Sequence, residues 1–121
     1  MPKVLYVDDD DDIREIAVLA LSLDATFDVR PCSSGEEALA VAADWSPDVI
    51  ILDVMMPGMD GPETLRRLQE KLGVAIPPVL FCTARAQKSD IERYKSLGAL
   101  GVICKPFDPM MISANVRSYL D

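Results

Sequence analysis

Five side chains in this sequence are of types that could work together: the carboxylates of Asp8, Asp9 and Asp53, the hydroxyl of Thr83 and the ammonium of Lys105. Each stands at the end of a short apolar run, over residues 3–7, 49–52, 79–82 and 100–104. An aspartate can serve as a covalent phosphoryl acceptor, and a lysine and a hydroxyl can bind the oxygens of the group being transferred. The chain contains no histidine. That removes the serine-type triad, histidine zinc sites and the commonest general base. Any chemistry must therefore use carboxylates, hydroxyls, lysine or a metal.

These residues can meet only if the elements carrying them do. Residues 3–7 read as a strand running into five consecutive aspartates, 8–12, and Ile13, Ile16, Ala17, Ala20 and Leu23 then recur at helical spacing. Asp10, Asp11 and Asp12 suit a helix cap and first turn, whereas Asp8 and Asp9 lie too early for capping to explain them. A weaker strand over 26–31 is followed by Ser33 and Glu36 at capping-box spacing and a helix to Trp45. The run 48–53 has no alternation, as expected for a strand covered on both faces. Gly61-Pro62 opens a third helix with Leu65, Leu68 and Leu72 as its stripe. Residues 79–83 form a fourth strand, 90–97 a short helix ended by Gly98, 100–104 a fifth strand, and a last helix from about 108 buries Ile112, Val116 and Leu120 or Tyr119.

Five strands alternating with five helices imply a doubly wound α/β domain with a parallel sheet. Right-handed crossovers leave the order 2-1-3-4-5 as the leading topology. Its switch point lies between strands 1 and 3, which places Asp8, Asp9 and Asp53 together at the carboxyl edge. Adjacent strands are about 4.8 Å apart, so these acids repel one another. A divalent cation such as Mg²⁺, which takes oxygen ligands and keeps waters for a phosphate to replace, resolves that repulsion. Taken singly, Thr83 is an ordinary strand residue and Lys105 an exposed loop lysine. Their joint arrival at one sheet edge favours the functional reading.

The chain's 121 residues and 50% hydrophobic content fit one globular domain, residues 1–121. The net charge of −8 argues against non-specific binding to nucleic acid or anionic membranes. No apolar run approaches the roughly 20 residues of a membrane span, and the first residues carry no signal-peptide pattern, so a cytoplasmic protein is expected. Cys32, Cys82 and Cys104 are odd in number and widely spaced, which suggests no disulfide framework, and the two within strand-like runs, Cys82 and Cys104, read as small buried hydrophobes.

Val7-Asp8-Asp9, Asp53 with Met55-Met56-Pro57-Gly58-Met59-Asp60-Gly61, Thr83-Ala84 and Lys105-Pro106-Phe107 together resemble the receiver domain of bacterial two-component response regulators, over nearly the whole chain. The resemblance implies a flavodoxin-like fold. It implies that Asp53 accepts a phosphoryl group from a phosphohistidine on a sensor histidine kinase or histidine phosphotransfer protein. It implies Mg²⁺ held by the Asp9 and Asp53 side chains and the Met55 backbone carbonyl, with Asp8 assisting through water. Thr83 and Lys105 would contact the phosphoryl oxygens, and the bond before Pro106 would be cis. Chemistry of the domain's own would be limited to phosphoryl transfer and autodephosphorylation. The signal would be read by a protein at the face of the fourth helix, fifth strand and fifth helix, after Thr83 and a strand-5 aromatic shift together.

At the aromatic position this sequence has Val102, so half of that switch is missing. Tyr94 and Tyr119 are not substitutes by position and are expected to be partly buried on their helices. Met55 and Arg85, each two residues past a site residue, occupy positions that tune phosphoryl lifetime in the resembling family. The alternative from another class is a Mg²⁺-dependent phosphatase using a strand-end aspartate. Such enzymes place a second acid two residues on, where this chain has Met55. A flavin module of the same fold would need a phosphate-cradling loop where the five aspartates stand. A stand-alone regulator and a piece of a larger one both fit the sequence.

Overall fold

The computed structural model describes residues 2–120. In chain order the elements are β1 (Lys3–Val7), α1 (Asp11–Leu21), β2 (Asp28–Cys32), α2 (Gly35–Trp45), β3 (Val49–Asp53), α3 (Gly61–Leu72), a 3₁₀ turn (Gly73–Ala75), β4 (Val79–Thr83), α4 (Lys88–Ser96), β5 (Gly101–Cys104) and α5 (Ile112–Leu120). The strands form a single sheet in the order β2-β1-β3-β4-β5. Every pairing in it is parallel. The flavodoxin-like doubly wound architecture is the one the alternation implied.

The absence of alternation in the strands has a direct cause. In β1, Leu5 and Val7 face the core under α2, α3 and α4, while Val4 and Tyr6 face the core under α1 and α5. Both faces are covered, so both sets of positions must be apolar. β3 and β4 are buried at every residue, including their terminal Asp53 and Thr83. The carboxyl ends of these strands are therefore held rigidly, as a platform for a site must be.

The helix starts follow local polar chemistry. Asp10 caps α1, its carboxylate accepting from the amides of Asp12 and Ile13 at 3.0 Å. Asp60 caps α3 through the Glu63 amide at 2.9 Å. The expected Ser33–Glu36 box is displaced by one residue: Ser34 is the cap of α2 and accepts from the Glu37 amide, while the Ser33 hydroxyl donates to the Glu37 carboxylate.

Some expected burial is corrected. On α1 the seated residues are Ala17, Ala20 and Leu21 and Ile16 is exposed, while Leu23 falls past the end of the helix and is exposed as well. The small alanines at i and i+3 let the helix lie close to the sheet and turn its larger neighbours outward. Tyr94 is fully rather than partly buried, meeting Phe81 edge-on with ring centroids 5.1 Å apart. Among the cysteines, Cys32 and Cys82 are buried, but Cys104, at the last position of β5, is exposed. Among the described residues no helix is long and apolar enough to cross a membrane.

Candidate functional site

The residues singled out from sequence converge in an open cleft of about 310 Å³ at the carboxyl edge of the sheet. It is lined by Asp8, Asp9, Asp53, Met55, Thr83 and Lys105, together with Asp10, Ile13, Ala84 and Arg85. Parallel pairing of β1 with β3 sets Val7 opposite Leu52, so the next residues on each, Asp8 and Asp53, leave the sheet side by side. One carboxylate oxygen from each of Asp8, Asp9 and Asp53 lies within 4.8 Å of the others. Asp8 and Asp53 are buried and Asp9 is exposed.

Lys105 leaves the end of β5 and reaches back across β4. Its Nζ lies 2.8 Å from Asp8 Oδ2 and 3.1 Å from Asp53 Oδ1, so the ammonium bridges the two buried carboxylates. The peptide bond to Pro106 is cis. Burial alone would pull the ammonium's pKa down. The hydrogen bond that the ammonium donates to Asp8 and the charges of Asp53 and Asp8 outweigh it, and Lys105 titrates above the ordinary lysine range. Asp53 moves the other way for an acid. Burial, then the charge of Asp8, pushes its carboxyl up to about 6, with Lys105 opposing. One ammonium against the carboxylates of Asp8, Asp9 and Asp53 leaves excess negative charge at neutral pH, which is the electrostatic condition for a bound cation.

That shift has a consequence for stability. Asp53 binds its proton more tightly in the folded chain than an unfolded aspartate, near 3.8, does. Folding is thus favoured by this group at low pH, and the contribution is lost as pH rises through about 6. In metal-free buffer, stability is expected to fall between about pH 4 and pH 6.5 by about 1–3 kcal/mol from this group. Asp53→Asn should flatten that slope, leaving the variant more stable than wild type at pH 7. Denaturant midpoints measured across this range in chelator check both.

Thr83 is buried, and its Oγ1 accepts the Arg85 amide at 3.0 Å, closing the loop after β4. Met55 is largely exposed at the rim of the cleft and brings no acid to it. The loop between β3 and α3 is pinned where Gly61 donates to the Val54 carbonyl at 2.9 Å. A Cβ at Gly61 would sit 2.5 Å from the Asp53 carbonyl oxygen and 2.8 Å from Val54 Cα, both backbone atoms that cannot swing away. Gly61→Ala is expected to cost about 1–3 kcal/mol by overpacking and to displace the segment that presents Asp53. Thermal unfolding and metal affinity of the variant measure the two effects.

Val102 does not belong to this cleft. It lies opposite Phe81 in the β4–β5 pairing, half-buried against the α2–α3–α4 side of the core. With Tyr119 it lines a separate cleft, where the Tyr119 ring lies against Gly101. Pro106 lines a neighbouring apolar cleft with Ile13, Ile16 and Phe107.

Two contributors escaped the sequence reading. Arg14 donates from its guanidinium to the Asp8 carbonyl at 2.8 Å, tying α1 to the end of β1. Tyr6, fully buried, donates its hydroxyl to Asp8 Oδ2 at 3.2 Å. Burial, with the nearby Cys82 and Asp8, holds this phenol far above the usual tyrosine range, so it remains a donor. The signal was available in the period-two geometry of a strand: Tyr6 and Asp8 must project from the same face.

A doubly wound sheet with clustered acids and a bridging lysine at its switch point defines a class of α/β modules that bind their ligand at the carboxyl edge of the sheet. Within that class, the model of the response regulator receiver domain matches residues 4–117, and the chain belongs to this family. It is a receiver domain, a signalling domain of two-component phosphorelay. The alkaline phosphatase synthesis transcriptional regulatory protein PhoP of Bacillus subtilis is 39% identical over 120 residues, covering 98% of this chain and 48% of that protein. The transcriptional regulatory protein CseB of Streptomyces avermitilis is 38% identical over 117 residues, covering 97% and 48%. Among solved structures, the chemotaxis response regulator CheY4 of Vibrio cholerae superposes with a TM-score of 0.88 at 34% identity, covering 98% of each chain. The chain thus spans about half the length of the curated relatives it matches.

Proposed function

We propose that this domain accepts a phosphoryl group on Asp53 from a phosphohistidine on a sensor histidine kinase or histidine phosphotransfer protein, and passes the signal on through protein contact. The observation that supports this most is the meeting of Asp53 with Asp8, Asp9 and Lys105 in one cleft. An Asp53 carboxylate oxygen attacks phosphorus, the new P–O bond forms as the P–N bond breaks, and the electron pair leaves with the imidazole of the donor. Lys105 is already placed at Asp53 Oδ1 and would follow the charge onto the phosphoryl oxygens. Thr83 would give up the Arg85 amide to donate to the same group. Water arriving later on the aspartyl phosphate accounts for autodephosphorylation without a separate enzyme activity.

The donor set fits Mg²⁺: hard carboxylate oxygens with an open side to solvent, on Asp8, Asp9 and Asp53, with Met55, whose backbone carbonyl would be a further ligand, lining the same cleft. Bound there, Mg²⁺ would supply charge neutralisation for the approaching phosphoryl group. The output surface is assigned to α4, β5 and α5, on the cytoplasmic side of a signalling pathway. The change there would be altered by Val102, which lacks a ring to swing inward. Exposing the purified domain to a small phosphodonor such as acetyl phosphate tests the proposal. Mass spectrometry should show one added phosphoryl group with Mg²⁺ and none in chelator. Equal incorporation in chelator would remove the metal from the assignment.

A further inference from the structure

Asp8 has no exposed surface, yet its carboxylate is fully engaged from three directions. Oδ1 accepts the Asp10 amide at 3.0 Å, while Oδ2 accepts from Lys105 Nζ at 2.8 Å and from the Tyr6 hydroxyl at 3.2 Å. Phenylalanine would fill the volume of Tyr6 equally well, and a phenol in this layer is costly unless it is partnered. The groups in reach are Asp8 and, at 4.0 Å, the Cys82 sulfur, a weak partner at the limit of such a contact. The three donors also differ in permanence. Lys105 is shared with Asp53 and can be drawn away when the charge in the cleft changes. The Asp10 amide fixes only Oδ1. The phenol, anchored inside β1 among core residues, holds Oδ2.

We propose that Tyr6 is a positioning residue of the acidic site, its hydroxyl holding Asp8 in the orientation that supports a divalent cation at Asp9 and Asp53. The inference rests on the Mg²⁺ reading given above. Partners that orient metal-binding groups typically change affinity when removed, and Tyr6 does so from beneath the site without touching the cation. It acts on the cation's affinity and so on the phosphoryl chemistry that follows.

The test titrates the whole chain with Mg²⁺ by calorimetry, as wild type, Tyr6→Phe and Cys82→Ala, with thermal unfolding in chelator as the folding control. Tyr6→Phe should remain folded and bind Mg²⁺ about tenfold more weakly. Cys82→Ala perturbs the same buried layer, should lower the unfolding midpoint, and should keep the wild-type affinity. Mg²⁺ should also produce a tyrosine ultraviolet difference spectrum in the wild type that is lost in Tyr6→Phe. Wild-type affinity in Tyr6→Phe, or an equal loss in Cys82→Ala, overturns the positioning role while leaving the metal site standing. A wild-type chain that takes up no Mg²⁺ overturns the metal reading and this inference with it.

Discussion

Asp53→Asn is expected to abolish Mg²⁺-dependent phosphoryl incorporation, by at least about a thousandfold, the scale on which loss of a nucleophile is felt. The argument is one of position. Asp53 is the last residue of a strand buried along its whole length, so its carboxylate is delivered to the edge with little freedom. Asp8 is held by three donors and fully enclosed, and Asp9 is exposed. Neither combines access with the Lys105 contact as Asp53 does. The amide of asparagine is a poor nucleophile, and it conserves shape, so the variant should fold and still show the flattened pH profile expected above. Intact-mass measurement after acetyl phosphate treatment checks the result, and peptide mapping of the wild type should place the phosphoryl group on Asp53. Retained incorporation in the variant would transfer the acceptor role to another residue.

Lys105→Met should damage both stability and chemistry. The ammonium bridges two carboxylates that are otherwise nearly enclosed. Removing one partner from a buried charged group leaves the other charges uncompensated, a loss of about 3–5 kcal/mol where no relief is available. Here relief exists, because Asp53 already titrates near 6 and would take up a proton more readily without Lys105 beside it. The expected cost at pH 7.5 in chelator is therefore about 2–4 kcal/mol, shrinking as pH falls below 6. Mg²⁺, binding where the ammonium was lost, should recover part of the stability. Phosphoryl incorporation should fall even where the variant is folded, since no cation follows the charge onto the phosphoryl oxygens. Denaturation curves at two pH values, with and without Mg²⁺, separate these contributions. A variant as stable as wild type under all four conditions would show that the bridge carries no net stability.

Much of the architecture was legible because its signals are local. Continuous apolar runs in β3 and β4, turn residues between elements and strict alternation of element types led to the sheet order that the structure has. The errors fell where a neighbour decides. Ser33 and Ser34 are equally able to cap a helix, and which one does so depends on how the chain leaves β2. Ile16 and Leu23 match helical spacing, but the alanines beside Ile16 set how α1 seats on the sheet, and the helix ends before Leu23. Tyr94 read as half-buried because its partner, Phe81, lies on another element.

The candidate site divides along the same line. Composition and order along the chain were enough to choose Asp8, Asp9, Asp53, Thr83 and Lys105, since each ends an apolar run and a parallel sheet must bring such ends to one edge. Side-chain contacts across that edge are another matter, because they depend on distances of a few tenths of an ångström between residues far apart in sequence. Tertiary structure alone showed that Lys105, 97 positions away, donates to Asp8 while also bridging to Asp53. It alone turned Tyr6 from a core aromatic into a hydrogen-bond donor beneath the acids. Residue types limit which charges a chain can bring together; packing decides which of them touch, and electrostatic coupling is steep in that distance.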